Sequence, residues 1–367
     1  MAPNPARLPG LELLRWIAAL CVLALHTPVI FGLPRVFAKG YLGVDLFFML
    51  SGYVMARAFE GKPPVSQALR ANAKFVWERY ARMWPMMALG GVIGWPLLHL
   101  RLPNLAHFLP IATANLLLVP VTFQRQVYPL DVPAWTIIFI LLGNLLHRVV
   151  LFRLRGALLA LAIAVSAAAM GAAAAYAGSF DVGSRPENIA LALPRLMLAY
   201  LMGIAIRQAW GDQPNFALPP LIALAAMPGL LLAAGWFGVT SWLFDMGFVV
   251  IACPLIIAGA MRLQMGKGAG AGVAIACFAG AWSFPLYAIH FPLLIRLRNH
   301  GASSWQAVLA ALAVSALATA MEIQLRAQLH KAGGWRAMIA PIIHRLSCLT
   351  NPAIRKGTQA HGQILHR

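Results

Sequence analysis

The chain has 367 residues, 61% of them hydrophobic and only 11% charged. Soluble domains carry charge on about a quarter of their residues, so this composition excludes an ordinary soluble enzyme or binding module and points to a polytopic membrane protein. The net charge of +19 does not imply a nucleic-acid partner, because the basic residues lie in loops between apolar runs and form no stripe on a soluble domain.

Runs approaching the roughly 20 apolar residues needed to cross a bilayer recur along the chain. They predict an all-α helical bundle of ten spans, unlike the short alternating strands of an outer-membrane barrel. The spans are expected at 11 to 32, 40 to 58, 82 to 100, 134 to 150, 157 to 177, 189 to 208, 217 to 236, 241 to 261, 272 to 295 and 304 to 326. His107 to Phe123 is short and interrupted by Pro, and reads as a partly embedded excursion. With ten spans and both termini cytoplasmic, 21 of the 29 Lys and Arg fall on cytoplasmic segments and helix ends. Making 107 to 123 a full span would push Arg148, Arg153 and Arg155 outside. The first span is too long for a signal-peptide core and has no convincing cleavage site, so it is expected to be retained. Residues 1–330 form the transmembrane domain, and 331–367 a basic cytoplasmic tail attracted to anionic lipid. Four cysteines without CxxC spacing supply neither a disulfide framework nor a metal site.

The polar residues inside the spans carry the functional signal, since a charge kept in hydrocarbon marks a functional site by default. In the first span, Arg15 and His26 are eleven residues apart, roughly 16 Å along one helix face, on a path from one surface toward the middle. Asp45 lies near the outer end of the second span, at a depth similar to His26. Its carboxylate would either orient the imidazole for general-base chemistry or pair with Arg to stay buried. Gly40, Gly43 and Gly52 suit close helix packing. Arg79 and Arg82, one turn apart at the cytoplasmic end of the third span, fit phosphate oxygens or lipid headgroups equally well. Arg195 in the sixth span is a counter-ion for Asp45 or a donor to substrate oxygen. In the ninth span Ser283, Tyr287 and His290 form one polar seam on a helix bent by Pro285 and Pro292. Asp245 and Glu322 have no motif context and no assigned role.

These pieces resemble, in order, the motifs of the acyltransferase-3 family, bacterial membrane enzymes that O-acylate glycans and related acceptors. The motifs are Arg15 and His26 with ten residues between, GVDLFFMLSGY at 43 to 53, Arg79 and Arg82 followed by Pro85, PAWT at 133 to 136, Arg195 with Gly203, and SFPLYAIHFP at 283 to 292. The resemblance spans about residues 9 to 326. It implies a multi-pass enzyme of the bacterial inner membrane that takes acyl-CoA, in the first place acetyl-CoA, from the cytoplasm. The acceptor is a hydroxyl of a glycan or lipid-linked sugar at the outer face, in contact with membrane lipids, and no metal is called for. His26, Asp45, Arg15, His290 and Tyr287 would carry the chemistry, with His290 or Tyr287 facing the thioester oxyanion. Arg79 and Arg82 would hold CoA, and Arg195, Ser283 and Trp135 would meet substrate. In one place the chain departs from the family: the usual Glu five residues after the Trp is Ile140, and the nearest polar group, Asn144, is a turn further on. The same charged seam also fits a transporter or flippase for a lipid-linked sugar or acyl donor that makes no bond.

Overall fold

The computed structural model describes residues 8–60, 68–102, 104–215, 218–263 and 270–331. The predicted tail lies almost wholly outside the described residues. The helices are α1 (Pro9–Phe31), α2 (Leu42–Phe59), α3 (Leu69–Arg101), α4 (Leu105–Leu116), α5 (Trp135–Val149) and α6 (Gly156–Ala177). Then follow α7 (Ala192–Trp210), α8 (Pro220–Trp236), α9 (Trp242–Gly247), α10 (Cys253–Met261), α11 (Gly270–Asn299) and α12 (Ser304–Lys331). A π-helical stretch, Phe248–Ala252, joins α9 to α10. Among the described residues nine helical segments are long and apolar enough to cross a membrane, and the 17-residue α8 occupies the remaining expected span. The protein is an all-α polytopic membrane protein. Helix α3 starts thirteen residues before its expected span, because hydropathy falls at Arg70, Lys74 and Glu78 while helix-favouring Ala, Lys, Glu and Arg carry the helix on. The excursion is the 12-residue helix α4 with Pro110 inside it.

The chain divides into two compact units, Met1–Ala316 and Leu317–Arg367. Everything described below lies in the first. Its helices approach through glycine. A Cβ on Gly52 would sit 2.1 Å from the Tyr200 carbonyl oxygen, and one on Gly203 would sit 1.9 Å from that of Met49, so α2 and α7 meet backbone to backbone. Helices α3 and α11 do the same at Gly90, where a Cβ would lie 2.1 Å from the Ala288 oxygen.

Between α4 and α5 the chain runs without regular structure yet is buried at Val127, Tyr128 and Leu130. Such backbone survives inside a membrane protein only where its polar groups find protein partners. Asn115 supplies several: its Nδ2 donates to the Val119 and Val127 carbonyls at 3.4 Å each, and its Oδ1 accepts from the Leu130 amide at 3.2 Å. The Tyr128 hydroxyl donates to the Leu118 carbonyl at 2.8 Å. Leu130 then joins Leu98, Phe108, Ile111, Ala112 and Val121 in an apolar core, and its carbonyl rests where a Cβ on Gly94 would be.

Substituting Gly203 by Val should therefore lower the Tm of the purified chain markedly, because overpacking of this kind costs about 1–3 kcal/mol or more. Gly229→Ala, where nothing lies within 4 Å of the added Cβ, should leave the Tm within a degree or two of the parent in the same scan.

Candidate functional site

Helix α1 carries His26 near its C-terminal end, and α11 carries His290 opposite it. The two imidazoles share a hydrogen bond, His26 Nδ1 to His290 Nε2, at 2.8 Å, with the rings stacked at 5.1 Å between centroids. The other nitrogen of His290 settles who donates. Nδ1 lies 3.0 Å from the Leu286 carbonyl oxygen and 2.9 Å from that of Tyr287. Carbonyl oxygens only accept, so Nδ1 of His290 holds the proton and Nε2 presents a lone pair. His26 must then donate from Nδ1, which leaves Nε2 of His26 as the unprotonated nitrogen. His290 is fully buried, whereas His26 is only partly covered, with the Phe291 ring edge-on to it at 4.9 Å. The geometry thus produces a base with a fixed tautomer and an approachable lone pair.

One turn along α11, Tyr287 faces the start of α5. The Thr136 hydroxyl lies 3.0 Å from the Tyr287 oxygen, and the Tyr287 hydroxyl donates to the Pro133 carbonyl at 3.3 Å. The two residues proposed as oxyanion donors both have their protons engaged, His290 with backbone carbonyls and Tyr287 with Pro133. Ser283 donates to the Gly280 carbonyl of its own helix at 2.7 Å and is not turned toward the histidines by any contact.

Asp45 does not serve His26. Both its oxygens accept from Arg195, through Nε at 3.0 and 3.3 Å and Nη2 at 2.8 Å, and both side chains are fully buried. Nη1 and Nη2 also donate to the Val182 and Tyr41 carbonyls, each at 3.0 Å, and Nη1 lies 3.7 Å from the Asp181 carboxylate, with the rings of Tyr41 and Trp135 5.6 and 5.7 Å away. Arg195 is the counter-ion of Asp45, and Trp135 walls the pair, also packing against Phe48 and Phe139. Sequence inspection missed a second ion pair nearby. Lys39 lies 2.7 Å from Asp245 Oδ1, while the Tyr41 hydroxyl donates to Oδ2 at 2.7 Å. Lys39 sits in a short loop and reads there as an ordinary surface charge.

At the other end of the bundle the arginine pair splits. Arg79 turns inward over the Phe75 ring at 3.6 Å and donates to Met55 Sδ at 3.3 Å, whereas Arg82 is exposed. Buried Arg148 lies over the same Phe75 ring at 5.0 Å and donates from Nε to Asn72 at 2.7 Å. Beside it His147 is 1% exposed, between the rings of Phe59 and Tyr200, and neither ring nitrogen has a hydrogen-bond partner among the described residues. Arg148 reads in sequence only as part of the inside-positive charge, and His147 carries no sequence signal. Arg15 is in the N-terminal half of α1, with its side chain 44% exposed and 3.7 Å from Glu12, so it shares a face with His26 without reaching it. Asn144 accepts from the Tyr200 hydroxyl at 3.2 Å, and Ile140 brings no carboxylate to α5. Among the described residues no three His, Cys, Asp or Glu come together in a way that could hold a metal ion.

The acyltransferase-domain family model matches residues 8–322. The chain is 27% identical over 331 residues to "Acyltransferase MdmB" of Streptomyces mycarofaciens, covering 80% of this chain and 81% of that protein. It is also 38% identical over 85 residues to "Protein 2 in picA locus" of Rhizobium radiobacter, covering 23% of this chain and 42% of that protein. No solved structure matches.

The Arg195–Asp45 pair makes a prediction about folding. Asp45→Asn strands a buried guanidinium, at a cost of about 3–5 kcal/mol, and should lower the Tm and the yield of folded protein. Adding Arg195→Gln should recover part of the loss in the same unfolding scan. A single variant as stable as the parent would show that the pair does not hold α2 to α7.

Proposed function

The chain belongs to the acyltransferase-3 family and is a membrane acyltransferase, and from that premise we propose its reaction. An acyl group, acetyl in the first place, moves from acyl-CoA on the cytoplasmic side of the bacterial inner membrane to a hydroxyl of a glycan or lipid-linked sugar at the outer face. Membership of an enzyme family sets aside the transporter that the charged seam alone would also fit. The observation that supports the reaction best is the His26–His290 hydrogen bond.

In this scheme Nε2 of His26 takes the proton of the acceptor hydroxyl while the oxygen attacks the thioester carbon. The positive charge that develops on His26 is costly in a dry site. His290 accepts from Nδ1 throughout and spreads that charge toward the Leu286 and Tyr287 carbonyls. As the carbon–sulfur bond breaks, the proton on Nε2 passes to the departing sulfur, giving the CoA thiol and the acyl ester. A base used this way contributes about 10²–10⁴-fold in rate, provided its tautomer is the right one.

Donor binding falls to the inner end of α3. The inward-turned Arg79, with Arg148 over the same phenyl ring, offers guanidinium donors to phosphate oxygens. The exposed Arg82 meets the same phosphates or the lipid headgroups from outside.

The test is transfer of labelled acetyl from acetyl-CoA in inside-out vesicles containing the protein. His26→Ala should abolish label in the glycan and lipid fractions. His290→Phe should lower transfer about 10²–10⁴-fold with little change in donor KM, because it frees the tautomer of His26 without touching CoA. Arg79→Ala should raise donor KM more than Arg82→Ala. Undiminished transfer by His26→Ala would refute the mechanism.

A further inference from the structure

Five helices of the first unit pack in a closed ring: α1 on α2, α2 on α5, α5 on α3, α3 on α11, and α11 back on α1. Contacts between members that are not neighbours show which faces look into the ring. From α2 the Phe47 ring meets that of Tyr287 on α11 at 5.7 Å between centroids, and Met55 Sδ accepts from Arg79 of α3 at 3.3 Å. From α5 the Thr136 hydroxyl lies 3.0 Å from that of Tyr287.

Between these contacts the side chains are left open. Ser51 and Val54 follow Phe47 by four and seven residues, within about 40° of it around α2. Ser51 is half-buried and Val54 is 48% exposed. Met83 and Met86 follow Arg79 by the same spacings on α3, and Ile140 is one turn beyond Thr136 on α5, all three half-buried. The α2 face is held at both ends, by Phe47 on Tyr287 and by Met55 on Arg79. The α3 face is held by Arg79 on Met55 and by Gly90 against the Ala288 carbonyl of α11. Faces tied toward one another in this way do not look onto lipid, so their exposure is that of a space inside the ring.

Of these five side chains Ser51 alone can donate a hydrogen bond. Thr27, Ser283 and Ser315 return their hydroxyls to carbonyls of their own helices, at 2.8, 2.7 and 2.6 Å. Ser51 has no hydrogen bond among the described residues. It stands one turn, about 6 Å, from Phe47 at the histidine end and one turn from Met55 at the arginine end. An acyl donor held by its phosphates at Arg79, with its thioester at His26, runs its pantetheine arm through this space. The amide nearest the sulfur then comes level with Ser51.

We propose that the five-helix ring encloses the passage of the donor's pantetheine arm, and that the Ser51 hydroxyl donates to the carbonyl of the amide nearest the sulfur. Ser51 is thus a donor-binding residue that sets the reach of the thioester toward His26. This rests on the acyl-CoA reading of the function, and it adds a requirement that the donor carry an amide near the sulfur.

The experiment uses vesicles containing the full chain and three labelled donors: acetyl-CoA, S-acetyl-N-acetylcysteamine, which keeps that amide, and ethyl thioacetate, which lacks it. The native chain should use the cysteamine donor about two- to tenfold better than ethyl thioacetate in kcat/KM, the value of one neutral hydrogen bond. Ser51→Ala should remove that preference by slowing only the two amide-bearing donors, and Ser51→Thr, which keeps the hydroxyl, should retain it. Val54→Trp tests the space itself: the added ring should leave the Tm unchanged while blocking transfer from acetyl-CoA. A native chain indifferent to the amide, or a Ser51→Ala that slows all three donors alike or none of them, would overturn the proposal. So would a Val54→Trp that transfers normally, which places Val54 against lipid, or one that unfolds at a clearly lower temperature, which leaves no room inside the ring. If the native chain takes label from none of the three donors, the acyl-CoA reading itself fails, a result distinct from transfer that ignores the amide.

Discussion

Hydrocarbon supplies no water to a polar side chain, and the architecture of this bundle follows from how each such group finds a partner or is left without one. Among the described residues Arg195 is the largest fully buried side chain, and its guanidinium donates to Asp45 and to two backbone carbonyls, with Asp181 3.7 Å from Nη1. That pairing fixes α2 against α7 and against the loop before α7, in a region where Gly52 and Gly203 have already brought the backbones together. Lys39, Tyr41 and Asp245 do the same for the entry to α9. With the frame satisfied in this way, the groups that stay open are the ones available to a substrate.

The histidine pair uses the same constraint for chemistry. His290 is wholly buried, and two backbone carbonyls at its Nδ1 leave it a single tautomer. Through one 2.8 Å hydrogen bond that tautomer is imposed on His26, whose remaining nitrogen becomes the base. In many enzymes a carboxylate orients the catalytic imidazole. Here a second imidazole does so, and the carboxylate closest in the motif sequence, Asp45, is kept for structure. A neutral partner suits a site inside a membrane, since it adds no second charge to bury while still accepting from His26 when that ring becomes cationic.

Most of the fold was legible in the sequence because bilayer thickness writes itself into the length of apolar runs. The span ends at α1, α2, α6 and the continuous run from α9 to α10 (Trp242–Met261) agree with the structure to within two residues. Where the helix outlasts the hydrophobicity, as at the start of α3, hydropathy alone set the boundary too late. The costly residues were legible too, since Arg195, Asp45, His26 and His290 stand out in apolar runs. Their partnerships were not: Asp45 and Arg195 are 150 residues apart, and His26 and His290 are 264 apart, so depth arguments could pair Asp45 with His26 or with Arg195 equally well. The packing of His147 and Arg148 was not legible either, because polar residues at the end of a span read as topology signal or not at all until their burial is seen.

The claim on which the account stands is that His290 sets the tautomer of His26. Nitrogen-15 NMR of imidazole-labelled full-length chain in lipid, with the His26 signals assigned by their loss in His26→Ala, measures it directly. The account predicts a protonated Nδ1 and an unprotonated Nε2 on His26 at neutral pH, with Nε2 becoming a mixture of states in His290→Phe. A His26 protonated at Nε2 in the native chain, or one unchanged by His290→Phe, would contradict it.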